Sequence, residues 1–335
     1  MQEKMVNLST NSLIASLSNS LISLLICTYN RSDLVLCCLD SIVKMTDPGC
    51  NFEVIVIDNN STDNTFRRIE EFAIQNPQLD LHLYKENKQG LSFARNLAIK
   101  MAQGDLLVFL DDDAIVDKNY LLAYRTYYEK NRFFCMGSKI LPWFKDNPFK
   151  IPSWFNKSNW GVLSMLDMGE QIKKVSYPNF PYGGNLAVTQ KLFKKFGNFD
   201  EAMGRKGKKL SSNMEIDFML RLQKASIPIY YVPDATIFHL VQKERVNVQF
   251  FLKRFYAQGR SDAYLFSKDD DLAYRRWSVH QRVFEILCAP LLFFYRKALK
   301  HEDFFKPILR IAYHLGYLYE KFNFFFGQQI TAKNK

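Results

Sequence analysis

Leu106–Ala114 reads LLVFLDDDA: five apolar residues run straight into three consecutive carboxylates. Three adjacent acids repel one another, and an ordinary strand end carries Gly, Asn or Ser instead, so positive charge is expected at this point. Asp105–Leu110 predicts a buried strand, and three similar runs precede it: ISLLIC (Ile22–Cys27), FEVIVI (Phe52–Ile57) and LHLYKE (Leu81–Glu86). Helical patterns lie between them in LVLCCLDSI, FRRIEEFAIQ and SFARNLAIKMA, with Asp33, Asp63 and Ser92 placed as caps. Strand–helix alternation with near-continuous apolar strands predicts an α/β fold whose mostly parallel sheet is covered on both faces. In such sheets ligands bind beyond the carboxyl ends of the strands. Thr28, Tyr29, Asn30, Arg31, Asp58, Asp111, Asp112 and Asp113 all fall on that edge.

If the strand continues through its acids, Asp111 and Asp113 point one way and Asp112 the other. Two carboxylates on one side suit a hard divalent cation, Mg²⁺ or Mn²⁺, which prefers oxygen ligands.

Periodicity weakens after Pro142, and the stretch to Pro181 holds Trp143, Trp154 and Trp160 with little regular pattern. An irregular insert of this length is usually a functional loop. Pattern returns with NLAVTQ, the helices KLFKKF and EIDFMLRLQKA, and two separate strands, IPIYYV and ATIFHL. From Val248 onward the chain reads as helical.

The net charge of +11 suits a polyanionic ligand or an anionic membrane surface, with GRKGKK (Gly204–Lys209) the densest run. No helix presents Arg and Asn together and no basic–aromatic platform repeats, so a nucleic-acid partner is not expected. The six cysteines show no CxxC and no metal spacing; several sit in apolar runs as small hydrophobes, which predicts a reducing, cytoplasmic compartment. Residues 1–20 are polar and lack the order of a signal peptide, so a flexible tail is expected. ILCAPLLFFY (Ile286–Tyr295) is uncharged for ten residues but contains a proline. As a helix it covers roughly 15 Å, too short for a span. Ile308, Ile311, Leu315, Leu318, Phe322 and Phe325 recur at helical spacing, with Arg310, His314 and Lys321 on another face. Such a helix either docks peripherally on a membrane, at its inner face, or packs against the catalytic domain.

ISLLICTYNRSDLVLCCLDSI, FEVIVIDNNSTDNT, ENKQGLSFARNLAI and GDLLVFLDDDA, followed by YGGNLAVTQKLFKKFGNFDEAMG and EIDFMLRLQKASIPIYYVPDATIFH, strongly resemble the family 2 glycosyltransferases. The resemblance covers roughly Leu21 to His239. It implies a Rossmann-like GT-A fold, a nucleoside-diphosphate-sugar donor (a UDP-sugar is expected), a divalent cation and inverting transfer to a saccharide or lipid-linked saccharide. It divides the chain at 21–141 (nucleotide-sugar half), 142–245 (acceptor half with the aromatic insert) and 246–335 (helical region). Thr28 and Tyr29 match the place where the first strand meets the nucleotide base, with Asn30 and Arg31 following. Asp58 matches the acid that hydrogen-bonds the base, and Arg95 an arginine supporting the nucleotide pocket. Asp111 and Asp113 match the DxD acids that hold ribose and metal, with Asp112 between them. Gly183 and Gly184 match small residues beside the donor sugar. His239 matches a histidine near metal and diphosphate, although a lone His in an apolar run is equally a packed core residue. Arg254 and Gln258–Ser261 resemble a later family segment.

Glu215 matches the catalytic base, but Met214 stands where the family often has another acid, which leaves Asp217 as a competing base. AYRRW (Ala273–Trp277) has Ala in place of the Gln of the processive motif QxxRW, so one sugar per encounter is expected. A nucleotidyltransferase should show a Gly-rich basic loop after the first strand, and TYNRSD is not one. GxxxxGK[ST] is absent, which disfavours a kinase. A binding-only pseudoenzyme is opposed by intact Asp111, Asp113 and Glu215. Bacterial surface polysaccharide or glycolipid synthesis is the expected setting.

Overall fold

The computed structural model describes residues 21–144, 152, 154–155, 157–207, 210–268, 278–301 and 303–333. The N-terminal tail, the AYRRW segment and the last two lysines of GRKGKK lie outside them. The elements are β1 (Ile22–Thr28), α1 (Ser32–Val43), β2 (Phe52–Asp58), α2 (Thr65–Gln75), β3 (Leu81–Lys85), α3 (Leu91–Met101), β4 (Leu106–Asp111), β5 (Ala114–Val116), α4 (Tyr120–Asn131), β6 (Cys135–Trp143), β7 (Lys173–Val175), β8 (Asn185–Thr189), α5 (Gln190–Phe196), α6 (Met214–Lys224), β9 (Ile229–Leu240), α7 (Val248–Ser267), α8 (Val279–Ala298) and α9 (Lys306–Lys333).

The sheet order is β3-β2-β1-β4-β8-β6-β9-β5, with β7 on β9. β1 to β4, β6 and β9 run one way, and β5, β7 and β8 the other. The sheet is mostly parallel, as expected. Its period-2 pattern explains the two cores. Leu25, Ile57 and Phe109 face Ala94 of α3 and Phe218 of α6, while Leu24, Ile26 and Val108 face Leu39 of α1 and Tyr124 of α4.

Three local expectations are corrected. Asp33 is not a cap: it lies in the first turn of α1 and pairs with Arg68. Ser92 lies inside α3, and its hydroxyl donates to the Met203 carbonyl. The two strands expected around Pro233 are one, β9. Its register on β6 passes from Val232 opposite Ser138 to Ile237 opposite Ile140, and Pro233 falls within that irregularity. A proline cannot donate to the ladder, so a bulge is where a strand tolerates it.

Asn185 ties both halves of the sheet together. Its amide donates to the carbonyls of Lys139 (3.0 Å) and Ala235 (2.8 Å), and its oxygen accepts from the hydroxyls of Tyr120 (3.0 Å) and Tyr124 (2.7 Å). All of these groups are buried, so Asn185→Ala strands several at once. The expected cost is about 3 kcal/mol or more, read as a lower urea midpoint at unchanged slope.

The C-terminal helices pack by close approach. A Cβ at Gly259 of α7 would lie 2.0 Å from the Tyr313 carbonyl of α9, and one at Gly316 2.0 Å from the Tyr256 carbonyl. α9 therefore turns Leu309, His314 and Tyr317 inward, while Leu315 and Phe322 are exposed. The expected polar position His314 is thus a core position. Among the described residues no helix is long and apolar enough to cross a membrane. None of the six cysteines, all of which are described, forms a disulfide.

Candidate active site

β4 ends at Asp111, and Asp112 and Asp113 form a turn before β5. The strand alternation expected for the three acids therefore stops at the first of them, and each finds a cation. Asp111 Oδ1 pairs with Arg95 at 3.1 Å. Asp112 pairs with Arg31 at 2.7 Å and accepts the Thr28 hydroxyl at 2.8 Å. Asp113 meets Arg31 at 3.1 Å, His239 Nε2 at 3.0 Å and Arg245 at 3.7 Å. Asp112 does not point away from Asp113: the same Arg31 nitrogen holds both.

The scaffold explains these meetings. α3 carries Arg95 under the sheet edge, where the guanidinium lies over the Phe109 ring and also donates to the Gly183 carbonyl at 2.8 Å. β5 pairs antiparallel with β9, Ala114 opposite His239, and the Leu240 N–H donates to the Asp113 carbonyl at 2.9 Å. That ladder delivers the histidine from a residue 126 positions later in the chain.

Charge states follow. Burial alone would raise the Asp113 carboxyl, but His239, Arg31 and Arg245 outweigh it and hold it far below the usual range. Burial, only partly offset by Arg31, raises Asp112. Burial would lower His239, but Asp113 overcomes that and raises it. His239 Nδ1 is buried without a hydrogen-bond partner, as is Asp58 Oδ1, whose other oxygen accepts from the Ser61 N–H at 3.2 Å.

Asp111, Asp113 and His239 offer ligand atoms that all lie within 4.8 Å of one another. Two carboxylates and an imidazole are a donor set that Mn²⁺ accepts readily and Mg²⁺ accepts through its oxygens. The residues present fit a divalent cation.

Beside them opens a cavity of about 420 Å³, within the range of about 300–1,000 Å³ for small-molecule sites. Thr28, Tyr29, Arg31, Arg95, Asp111, Asp112, Asp113, Gly183, Gly184 and Glu215 line it. Asp58, Asn30 and His239 are not on its wall. Asn30 is exposed and exchanges hydrogen bonds with Thr62. Asp217 is also elsewhere, paired with Arg221 at 3.2 Å and Lys268 at 3.6 Å.

Glu215 stands in the first turn of α6, whose N-cap Asn213 is left-handed with φ 78°. Asn213 donates to Asp262 at 2.7 Å and accepts from Gln258 at 2.9 Å, and the Ser212 N–H donates to the Ser261 hydroxyl at 3.1 Å. The Gln258–Ser261 segment therefore anchors the helix start that presents Glu215.

The two glycines separate the acids. A Cβ at Gly184 would lie 2.3 Å from Asp111 Oδ2, and one at Gly183 2.5 Å from Arg95 and 3.2 Å from the Glu215 carboxyl carbon. Gly184→Ala must displace Asp111, so Mn²⁺-dependent nucleotide binding should weaken by about tenfold or more, read by calorimetry. Unchanged affinity would show that Asp111 is not needed where it stands.

Sequence reading missed the bridging role of Arg31 and the presence of Arg245 and Arg205. Arg245 sits six residues after His239 in KERV, a charged turn that follows the strand and could have signalled it. Arg254, on the cavity wall with Arg205, has its guanidinium lowered to about 10, chiefly by burial and then by Arg205.

Comparison with known proteins agrees with this geometry. The profile of glycosyl transferase family 2 matches residues 23–189. The chain is 25% identical over 246 residues to a glucosyl-dolichyl phosphate glucuronosyltransferase of Haloferax volcanii, covering 72% of this chain and 75% of that one. It superposes on a mannosyltransferase from Pyrobaculum calidifontis, solved with GDP-Man and Mn²⁺, with TM-score 0.59 at 17% identity, covering 90% and 88% of the two chains. GalNAc-T7, solved with UDP, GalNAc and Mn²⁺, gives 0.53 at 14% identity over 74% of this chain and 50% of that one. With the GT-A arrangement and the family profile in agreement, residues 23–189 carry a glycosyltransferase family 2 domain.

Proposed function

We propose that the protein transfers a sugar, with inversion, from a nucleoside-diphosphate sugar to a hydroxyl of a saccharide or lipid-linked saccharide, one sugar per encounter. One observation carries this reading: Asp111 and Asp113 of the metal-type group and Glu215 line a single cavity, with Gly184 against Asp111 and Gly183 against Glu215. A divalent cation held by Asp111, Asp113 and His239 would offset the negative charge that builds on the departing diphosphate.

The chain's own groups do the rest. Arg95 holds the Asp111 carboxylate, and Arg31 holds Asp112 and Asp113, so the three acids keep their places in a crowded turn. Thr28 and Tyr29 on the cavity wall take the nucleotide in this reading, and Asp58, buried at the end of β2 off that wall, is the proposed acid for the base. Arg205 and Arg254 add positive charge to a cavity suited to an anionic donor. In an inverting displacement the nucleophile enters opposite the leaving group, so the base must stand away from the metal acids. A Glu215 carboxylate oxygen takes the proton of the acceptor hydroxyl as it attacks the anomeric carbon. A UDP-sugar is the proposed donor, and the name of the Haloferax relative supports a lipid-linked acceptor in polysaccharide or glycolipid assembly.

A thermal-shift panel of UDP-, GDP- and dTDP-sugars, with and without Mn²⁺, tests the proposal. At least one nucleotide sugar should raise the melting temperature only when metal is present. No metal-dependent shift with any donor would overturn it.

A further inference from the structure

α8 buries little more than Arg282 and Ala289. Arg282 stacks on the Tyr317 ring at 3.4 Å and meets His314 Nδ1 at 3.0 Å, and Glu285 pairs with Arg310 at 3.3 Å. These contacts commit one face of α8 to α9. The opposite face carries Phe284, Leu287, Leu291, Phe294, Tyr295 and Leu299, each between 62% and 74% exposed. They follow helical spacing, and no charged side chain interrupts them over roughly 22 Å of helix axis. Isolated exposed apolar residues are ordinary, but a continuous stripe of aromatic and aliphatic side chains marks a contact surface.

The geometry points to this α8 face as a docking surface for an anionic phospholipid bilayer, with the helix lying in the interfacial plane. The charge around the stripe selects that occupant. Lys297 and Lys300 are exposed at its C-terminal end, and Lys306 begins α9. From Val279 to Arg310 the chain carries six Lys or Arg and three Asp or Glu. Basic side chains flanking an apolar helical face are the pattern of a helix attracted to anionic headgroups. A second copy of the chain is a poorer match. Antiparallel pairing would set Lys297 and Lys300 against the positive N-terminal end of the other α8, and parallel pairing would set lysine against lysine. The membrane face expected from sequence on α9 is therefore placed on α8, since α9 turns much of its surface inward. None of the stripe residues lines the active-site cavity, so failure of this inference leaves the transferase reading untouched.

Flotation of the full chain with phosphatidylcholine vesicles, and with vesicles that also contain phosphatidylglycerol, tests it. The protein should float with the anionic vesicles and be released by high salt. Phe284→Ser, Leu287→Ser and Leu291→Ser together should lower the bound fraction about tenfold or more, with circular dichroism and melting temperature unchanged. Lys297→Glu with Lys300→Glu should remove the preference for phosphatidylglycerol. Failure of the wild-type chain to float with anionic vesicles would overturn the inference. So would a wild-type dimer that the triple variant splits into monomers without changing flotation.

Discussion

Asp113→Asn is expected to abolish Mn²⁺-dependent nucleotide binding, weakening it by about 100-fold or more in calorimetric titration. The substitution keeps the volume and removes the charge on which His239, Arg31 and Arg245 converge. Without it three cationic groups crowd one turn, so a lower melting temperature should accompany the loss. Asp112→Asn separates the metal role from the ion-pair role. It removes the shortest partner of Arg31 and the acceptor of Thr28, but not a member of the Asp111–Asp113–His239 group. It should lower stability and weaken nucleotide binding by roughly tenfold, the scale of a supporting group, while metal dependence persists. Near-normal Mn²⁺-dependent binding by Asp113→Asn would remove Asp113 from the metal site.

The sheet was legible because buried parallel strands must be apolar almost throughout, and ISLLIC, FEVIVI and DLLVFL are. The acids at their ends were legible for the same reason, since a polar residue directly after such a run has to serve an edge. What each acid touches was not. Strand alternation correctly describes Leu106–Asp111 but says nothing once the chain turns at Asp112. The cations for Asp113 arrive from β9 and the turn after it, and only the β5–β9 ladder reveals that neighbourhood. The Pro233 bulge hid the unity of β9 because a proline in a run ordinarily ends a strand. Helical periodicity located an apolar face on the last helix but not its covering. α7 approaches α9 through Gly259 and Gly316, a fit that spacing alone does not disclose. The α8 stripe was read only as a failed membrane span, because length was weighed and facing was not.

Glu215→Gln should keep nucleotide-sugar affinity and lower turnover by roughly 10²-fold or more, the scale of a lost general base. Glu215 stands in the first turn of α6 on the cavity wall, and its carboxylate oxygen is the group that would accept a proton. Glutamine keeps the shape beside Gly183 and loses only that capacity, so donor binding by calorimetry and turnover should separate cleanly. Asp217 is two residues further, about 200° around the helix, in ion pairs with Arg221 and Lys268 and off the cavity wall. Asp217→Asn should therefore lower the melting temperature slightly, since half-exposed pairs contribute about 1 kcal/mol or less, and leave turnover within about threefold. Because Asn213, Gln258 and Asp262 hold the start of α6, Gln258→Ala should also slow turnover without changing the base itself. Its loss should be smaller than that of Glu215→Gln, as positioning is impaired and not removed. Normal turnover in Glu215→Gln, together with its loss in a folded Asp217→Asn, would move the base to Asp217 and require α6 to rotate before reaction.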